Sequence, residues 1–140
     1  TMLFKRKRFG IVFLILLLLQ GCSNGGDVSK VQIDYGQSSI YSREDMDSAI
    51  QKIKEEFKTW KGAKLLSVSY TDDKRAEEEL SYCNELKDGA DFSECIVFES
   101  VFHSPKKDSG AWNPDQDYTG WQWYLARSGK EDWELLTWGY

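Results

Sequence analysis

The sequence predicts an α+β domain: one long N-terminal helix packed on a curved, four-stranded antiparallel sheet, with a second short helix after the first strand. Three observations carry this. Met46, Ala49, Ile50, Ile53, Phe57 and Trp60 fall at steps of three and four, a single apolar stripe at the helical period. Stretches 63–71, 94–103, 120–127 and 133–140 are instead rich in β-branched and aromatic residues, with period-two alternation clearest in the first three. Turns connect the last two of them, so the strands read as a meander whose inner face covers the helix.

The chain begins with a segment of another kind. Lys5-Arg6-Lys7-Arg8 precede an apolar run of eleven residues, Phe9 to Leu19. At ~1.5 Å per residue that run reaches ~17 Å, short of the ~30 Å hydrocarbon core of a bilayer. A basic cluster followed by a short apolar run is the pattern of an export signal. Leu19-Gln20-Gly21-Cys22 then resembles a bacterial lipobox, with an apolar residue at −3, a small one at −1, and Cys. The resemblance implies that residues 1–21 are a lipoprotein signal peptide. It also implies that Cys22 carries a diacylglyceryl anchor holding the protein on the outer, extracytoplasmic face of the cell membrane. Acyl chains contribute ~0.8 kcal/mol per buried CH₂, enough for two or three chains to hold a domain firmly. Residues 22–39 read as the lipidated cysteine plus a flexible tether, on the strength of Ser23-Asn24-Gly25-Gly26-Asp27. Val28 to Tyr35 alternates weakly and reads as a short extended lead-in. Residues 40–140 form the single domain.

Charge narrows the function classes. The whole chain is at −5, but the first 21 residues hold four basic groups and no acid. The remaining 119 residues carry 14 basic and 23 acidic groups, a charge of −9. No nucleic-acid partner is expected, since phosphate contacts need clustered Lys and Arg. Six Trp, seven Tyr and seven Phe exclude a disordered chain.

Within the domain, Ser42 is a helix N-cap with Glu44 and Asp45 in the first turn, and Gly62 stops a helix spanning Ser42 to Trp60. In the first strand Leu66, Val68 and Tyr70 share one face and Leu65, Ser67 and Ser69 the other. Asp72-Asp73 punctuates. Lys74 to Lys87 reads as a short polar helix with Ala76, Leu80 and Cys83 on its apolar line. Glu94 to His103 is the second strand, Ser104 to Thr119 a long loop holding both prolines, and Gly120 to Arg127 the third strand. Ser128-Gly129-Lys130-Glu131 is a hairpin turn, and Trp133 to Tyr140 the fourth strand.

With Cys22 taken by lipid, Cys83 and Cys95 remain, an even pair in an oxidising compartment. They are a candidate disulfide, two unpaired thiols being the other reading. Their spacing does not suit a redox or zinc motif. Asn113, Asp115, Asp117 and Thr119 imitate the oxygen spacing of a calcium loop, but Tyr118 and Tyr124 stand where Gly and Glu are needed, so no metal is assigned. No cofactor motif, nucleophile elbow, P-loop or H-E-x-x-H is present.

The order of elements resembles the cystatin-like/NTF2-like group, in which a curved sheet wraps a long helix. The Gly120 to Arg127 and Trp133 to Tyr140 hairpin, with Asn113-Pro114 and Tyr118-Thr119 ahead of it, is similar to small Firmicutes-type lipoproteins of no assigned activity. The resemblance covers roughly residues 40 to 140. It implies a fold and a location, and no catalytic residues.

Three readings of function follow. The first is a non-enzymatic binding module whose partner is an envelope protein or other envelope component. The second is a receptor for a small ligand or cell-wall glycan, with Trp112, Tyr118 and the hairpin aromatics as candidate stacking rings, Trp112 and Tyr118 the better candidates, and Asp115 and Asp117 as hydroxyl acceptors. Eight aromatics lie in the 29 residues from 112 to 140, and the simple account of Trp121 and Trp123 is a sheet filling its own core. The third is an enzyme with an NTF2-like pocket, using His103 with an acid such as Glu99.

Overall fold

The computed structural model describes residues 25–140, so Cys22 and the signal segment lie outside the described residues. The elements are β1 (Gln32–Asp34), α1 (Arg43–Phe57), β2 (Lys64–Tyr70), α2 (Asp73–Glu78), α3 (Leu80–Glu85), β3 (Glu94–His103), β4 (Asp117–Arg127) and β5 (Glu134–Gly139). The class is α+β, with helices on a sheet.

The sheet differs from the four antiparallel strands that the sequence predicts. It has five strands in the order β1-β2-β3-β4-β5, and β1 runs parallel to β2. The remaining pairs are antiparallel. The lead-in is therefore an edge strand, with Ile33 opposite Val68. Three residues with one inward side chain make too weak an alternation to announce a strand.

The sheet also takes in part of the stretch read as tether. Gly26 N–H donates to the Lys58 carbonyl at 2.9 Å, and Asp27 N–H to Ala63 at 2.9 Å. A Cβ at Gly26 would collide with the Phe57 carbonyl oxygen. This glycine allows backbone to lie against the end of α1, whereas composition alone suggests a flexible linker. Farther on, Asp73 accepts from Ser38 Oγ at 2.6 Å, Ser39 N–H at 2.8 Å and Tyr70 OH at 2.7 Å, fastening the run into α1.

Helix α1 starts as its residues dictate. Ser42 and Asp45 form a reciprocal capping box, and Met46, Ala49, Ile50, Ile53 and Phe57 are buried. The helix ends at Phe57 rather than Trp60. Trp60 lies in the turn that follows, its N–H on the Phe57 carbonyl at 2.9 Å, and Gly62 completes the reversal at φ +79.

Bulges correct the strand faces. Register slips by one residue on β2 between Leu65 and Ser67, so Leu65 is buried and Leu66 exposed, the reverse of strict alternation. On β4 the slip falls at Thr119-Gly120, with Gly120 at φ +70. This bulge lets both Tyr118 and Trp121 pack against the main core. The strand begins at Asp117, so the loop is shorter than the sequence suggests.

The face of the sheet under α1 is packed with Phe57, Phe98, Phe102, Trp123, Ile96 and Leu125, all fully buried. The single helix predicted over 74–87 is two helices broken at Glu79. Cys83 of α3 packs with Cys95, Val97 and Ala126 in a second cluster on the opposite face. At the N-terminal end of α1, buried Arg127 joins Asp45 at 3.1 Å and Glu94 at 2.7 Å. It also sits 4.1 Å from the Trp133 ring.

Gly26→Ala is expected to destabilise the domain by ~1–3 kcal/mol, the usual range for overpacking, with the loss read as a lower urea midpoint at unchanged m-value.

Candidate functional site

Trp60 is the centre of an aromatic wall at the C-terminal end of α1. Its ring stacks on Trp123 at 5.3 Å, and it meets Trp112 at 5.1 Å, Phe102 at 5.5 Å, Trp121 at 6.2 Å and Trp138 at 6.2 Å. Its indole N–H donates to Glu56 Oε2 at 3.0 Å. Trp138 reaches the wall because β5 pairs it with Trp123 across the ladder. Side chains directly opposite on an antiparallel pair stand close enough for rings to touch.

The outer rings of this wall are open to solvent. Trp112, Trp121 and Trp138 line a surface depression of about 530 Å³, with Thr59, Lys61, Asp108 and Ser109 among the groups around them. Trp138 is 39% exposed, and the indole N–H of Trp121 is buried without a hydrogen-bond acceptor. An apolar wall of angled rings beside hydroxyl, ammonium and carboxylate groups is a binding surface of mixed character. Its volume falls in the ~300–1,000 Å³ range of ligand sites.

The loop from Ser104 to Gln116 supplies one side, and it is ordered by its own bonds. Buried Ser104 donates its hydroxyl to the Asn113 carbonyl at 2.6 Å and accepts from Gln116 N–H at 3.0 Å. Asp115 N–H donates to the Pro105 carbonyl at 2.9 Å, and Ser109 Oγ donates to the Trp112 carbonyl at 2.7 Å.

The candidate ligand residues separate. Trp112 lines the depression. Tyr118 is on β4 rather than in the loop; its ring stacks on Phe102 at 5.2 Å and its hydroxyl accepts from Asn113 N–H at 2.7 Å, so it braces the loop. Asp115 and Asp117 face His103 instead of the rings. In the sequence, Trp60 reads only as the end of the helix stripe and Trp121 chiefly as a core residue, while Trp138 enters only as one of the hairpin aromatics. The clue to Trp138 was its cross-strand partner, which only the register reveals.

His103, at the end of β3, sits between two carboxylates. Nδ1 is 2.6 Å from Asp117 Oδ1, and Nε2 is 2.7 Å from Asp115 Oδ1. The hydrogen bonds to Asp115 and then to Asp117 raise its pKa above the usual 6.5. Asp115 is held below the usual carboxylate value by the same bond. Glu99 does not take part. It lies four residues back on the same strand, ~13 Å away at ~3.3 Å per residue. Among the described residues no group of three or more His, Cys, Asp or Glu side chains is placed to hold a metal.

Cys83 and Cys95 do come together. Their sulfurs are 3.0 Å apart, in hydrogen-bond contact and not covalently joined, and both residues are buried. The contact with Cys83, followed by burial, pushes the Cys95 thiol well up, which makes it a poor nucleophile. Among the described residues no helix is long and apolar enough to cross a membrane.

No protein-family model, curated protein or solved structure matches the chain.

Protein refolded with a glutathione couple is expected to yield a non-reducing peptide map containing a Cys83–Cys95 cross-linked peptide. Full alkylation of both thiols after unfolding would show the pair stays reduced.

Proposed function

We propose that the protein is a membrane-anchored, extracytoplasmic binding module, held by lipid on Cys22, whose tryptophan depression takes a carbohydrate of the cell envelope. The observation that carries the reading is the pairing of open indole faces (Trp112, Trp121, Trp138) with polar groups at their margin (Thr59, Lys61, Asp108, Ser109). A pyranose ring matches both parts. Its C–H face lies flat on an aromatic ring, and its hydroxyls, set around the edge, exchange hydrogen bonds with the rim. Aromatic rings present large apolar area with little entropy to lose on binding.

Charge supports the same choice. The mature chain carries a charge of −9 overall, which disfavours polyphosphate or nucleic-acid partners and leaves neutral or amino sugars free to approach. The reading treats the domain as non-enzymatic. His103 is engaged by two aspartates on the side of the loop away from the indoles, so its imidazole is not presented to the depression. The cystatin-like/NTF2-like resemblance enters as the proposed family of the helix-on-sheet architecture, with the parallel edge strand β1 as an addition to it.

Two measurements check this. Titration of the mature chain with soluble cell-wall glycan fragments is expected to change tryptophan fluorescence saturably. Trp112→Ala and Trp138→Ala should each weaken binding about tenfold or more with the far-UV circular dichroism unchanged, as for an aromatic hot spot. A flat titration would contradict the carbohydrate reading. Cys22→Ala in the full chain is expected to abolish metabolic labelling by a fatty-acid probe that the unaltered chain takes up, and equal labelling of both would contradict the anchor.

A further inference from the structure

His103 has an aspartate oxygen at each ring nitrogen, 2.7 Å from Asp115 and 2.6 Å from Asp117. A neutral imidazole has one N–H and one lone pair. In that form one of the two carboxylates would face a lone pair at hydrogen-bond distance, which is repulsive. Only the imidazolium, with two N–H groups, satisfies both contacts.

The two aspartates belong to different elements. Asp117 is the register partner of His103 on β4 and moves with the sheet. Asp115 lies in the loop, in the left-handed region at φ +55, where a non-glycine residue is held at a conformational cost. Its N–H donates to the carbonyl of Pro105, and Pro105 lines the tryptophan depression with Asp108, Ser109 and Trp112. The chain of contacts runs from the His103 ring to Asp115, from Asp115 to Pro105, and from there to the wall of the depression. Other charges near the cluster are Lys64, opposite His103 on β2, and Lys106 in the loop, whose charge acts on Asp115.

We infer that His103 and Asp115 form a pH-governed clasp on the loop that walls the tryptophan depression, closing the site while the imidazole is charged and loosening it once the proton leaves. The inference rests on the reading of that depression as the binding site and adds its regulation.

The sign follows from the two shifts. His103 has a raised pKa, so its hold is complete below 6.5 and is lost as the pH climbs through the folded-state value. Asp115 has a lowered pKa, so its hold is complete above 3.8 and is lost as the pH falls through its own folded-state value. The clasp is closed between these limits. Ligand is gripped on the acid side of the His103 transition and released on its alkaline side.

The test uses the mature chain in two arms. In the ligand-free arm, long-range ¹H–¹⁵N spectra follow the His103 ring and the Trp112 indole N–H from pH 5 to pH 9. Both His103 nitrogens should be protonated at pH 6.5, and the Trp112 signal should shift along the same titration curve. His103→Gln should flatten the Trp112 curve, and Asp115→Asn should move the His103 transition to lower pH. In the binding arm, affinity for a soluble disaccharide muropeptide should fall about tenfold across that transition, the size expected for losing a charge-assisted hydrogen bond. His103→Gln should bind at the weaker level at every pH.

A single neutral tautomer at pH 6.5, or a Trp112 signal that ignores His103 deprotonation, overturns the clasp. Muropeptide binding that is equal at pH 6 and pH 9 overturns it as well and leaves the carbohydrate reading standing. The titration behaviour without muropeptide binding at any pH supports the clasp and removes the carbohydrate reading.

Discussion

The ring of Trp60 joins the end of the helix, the sheet and the loop. It lies just past the end of α1, in a turn that Gly62 makes possible, and packs on Trp123 from the sheet, Phe102 from β3 and Trp112 from the loop. Helix end, sheet and loop therefore share one aromatic contact surface. Edge and stacked ring pairs add to the ordinary burial of such large side chains. The position of the loop, and with it the shape of the depression, depends on this surface. Backbone closes in from the other side, where Gly26 lies against the Phe57 and Lys58 carbonyls and seals the same end of the helix.

The parts legible in the sequence were those with a strong local period. The apolar stripe of α1 and its Ser42 cap are written in adjacent residues, and the structure has both, with the helix one turn shorter at Trp60. The hairpin turn at Gly129 was legible from its turn residues, and the approach of Cys83 to Cys95 from the even count of cysteines left after Cys22 together with the apolar line that carries Cys83. Features that depend on partners distant in sequence were not. The bulge that swaps Leu65 and Leu66 is set by pairing with β3, and the parallel strand β1 has only Ile33 to mark it. The candidate site divided in the same way. Trp112 could be picked out as a loop aromatic, whereas Trp138 was one hairpin aromatic among several until its pairing with Trp123 set it beside Trp60. Asp115 and Asp117 looked like free acceptors because nothing local to them shows that His103 comes between.

Two nearby residues of the loop serve different purposes. Trp112 faces the indole wall, and Asp115 faces the histidine on the other side of the strand end, since adjacent strand residues such as Phe102 and His103 point to opposite faces. In the proposed reading, an exposed aromatic surface on a lipid-anchored domain would suit an uncharged or amino-bearing polymer at short range. Such an anchor would raise the local concentration of a partner near the membrane, so a modest affinity would suffice for steady occupancy.

The most direct test of this account is a ¹H–¹⁵N correlation spectrum of the six indole N–H groups, recorded with and without a soluble cell-wall muropeptide. The signals of Trp112, Trp121 and Trp138 should move together, while Trp133, whose N–H is bonded to the Asp45 carbonyl at 3.0 Å, stays in place. No movement, or movement centred on Trp133, would contradict the assignment of the depression as the binding surface.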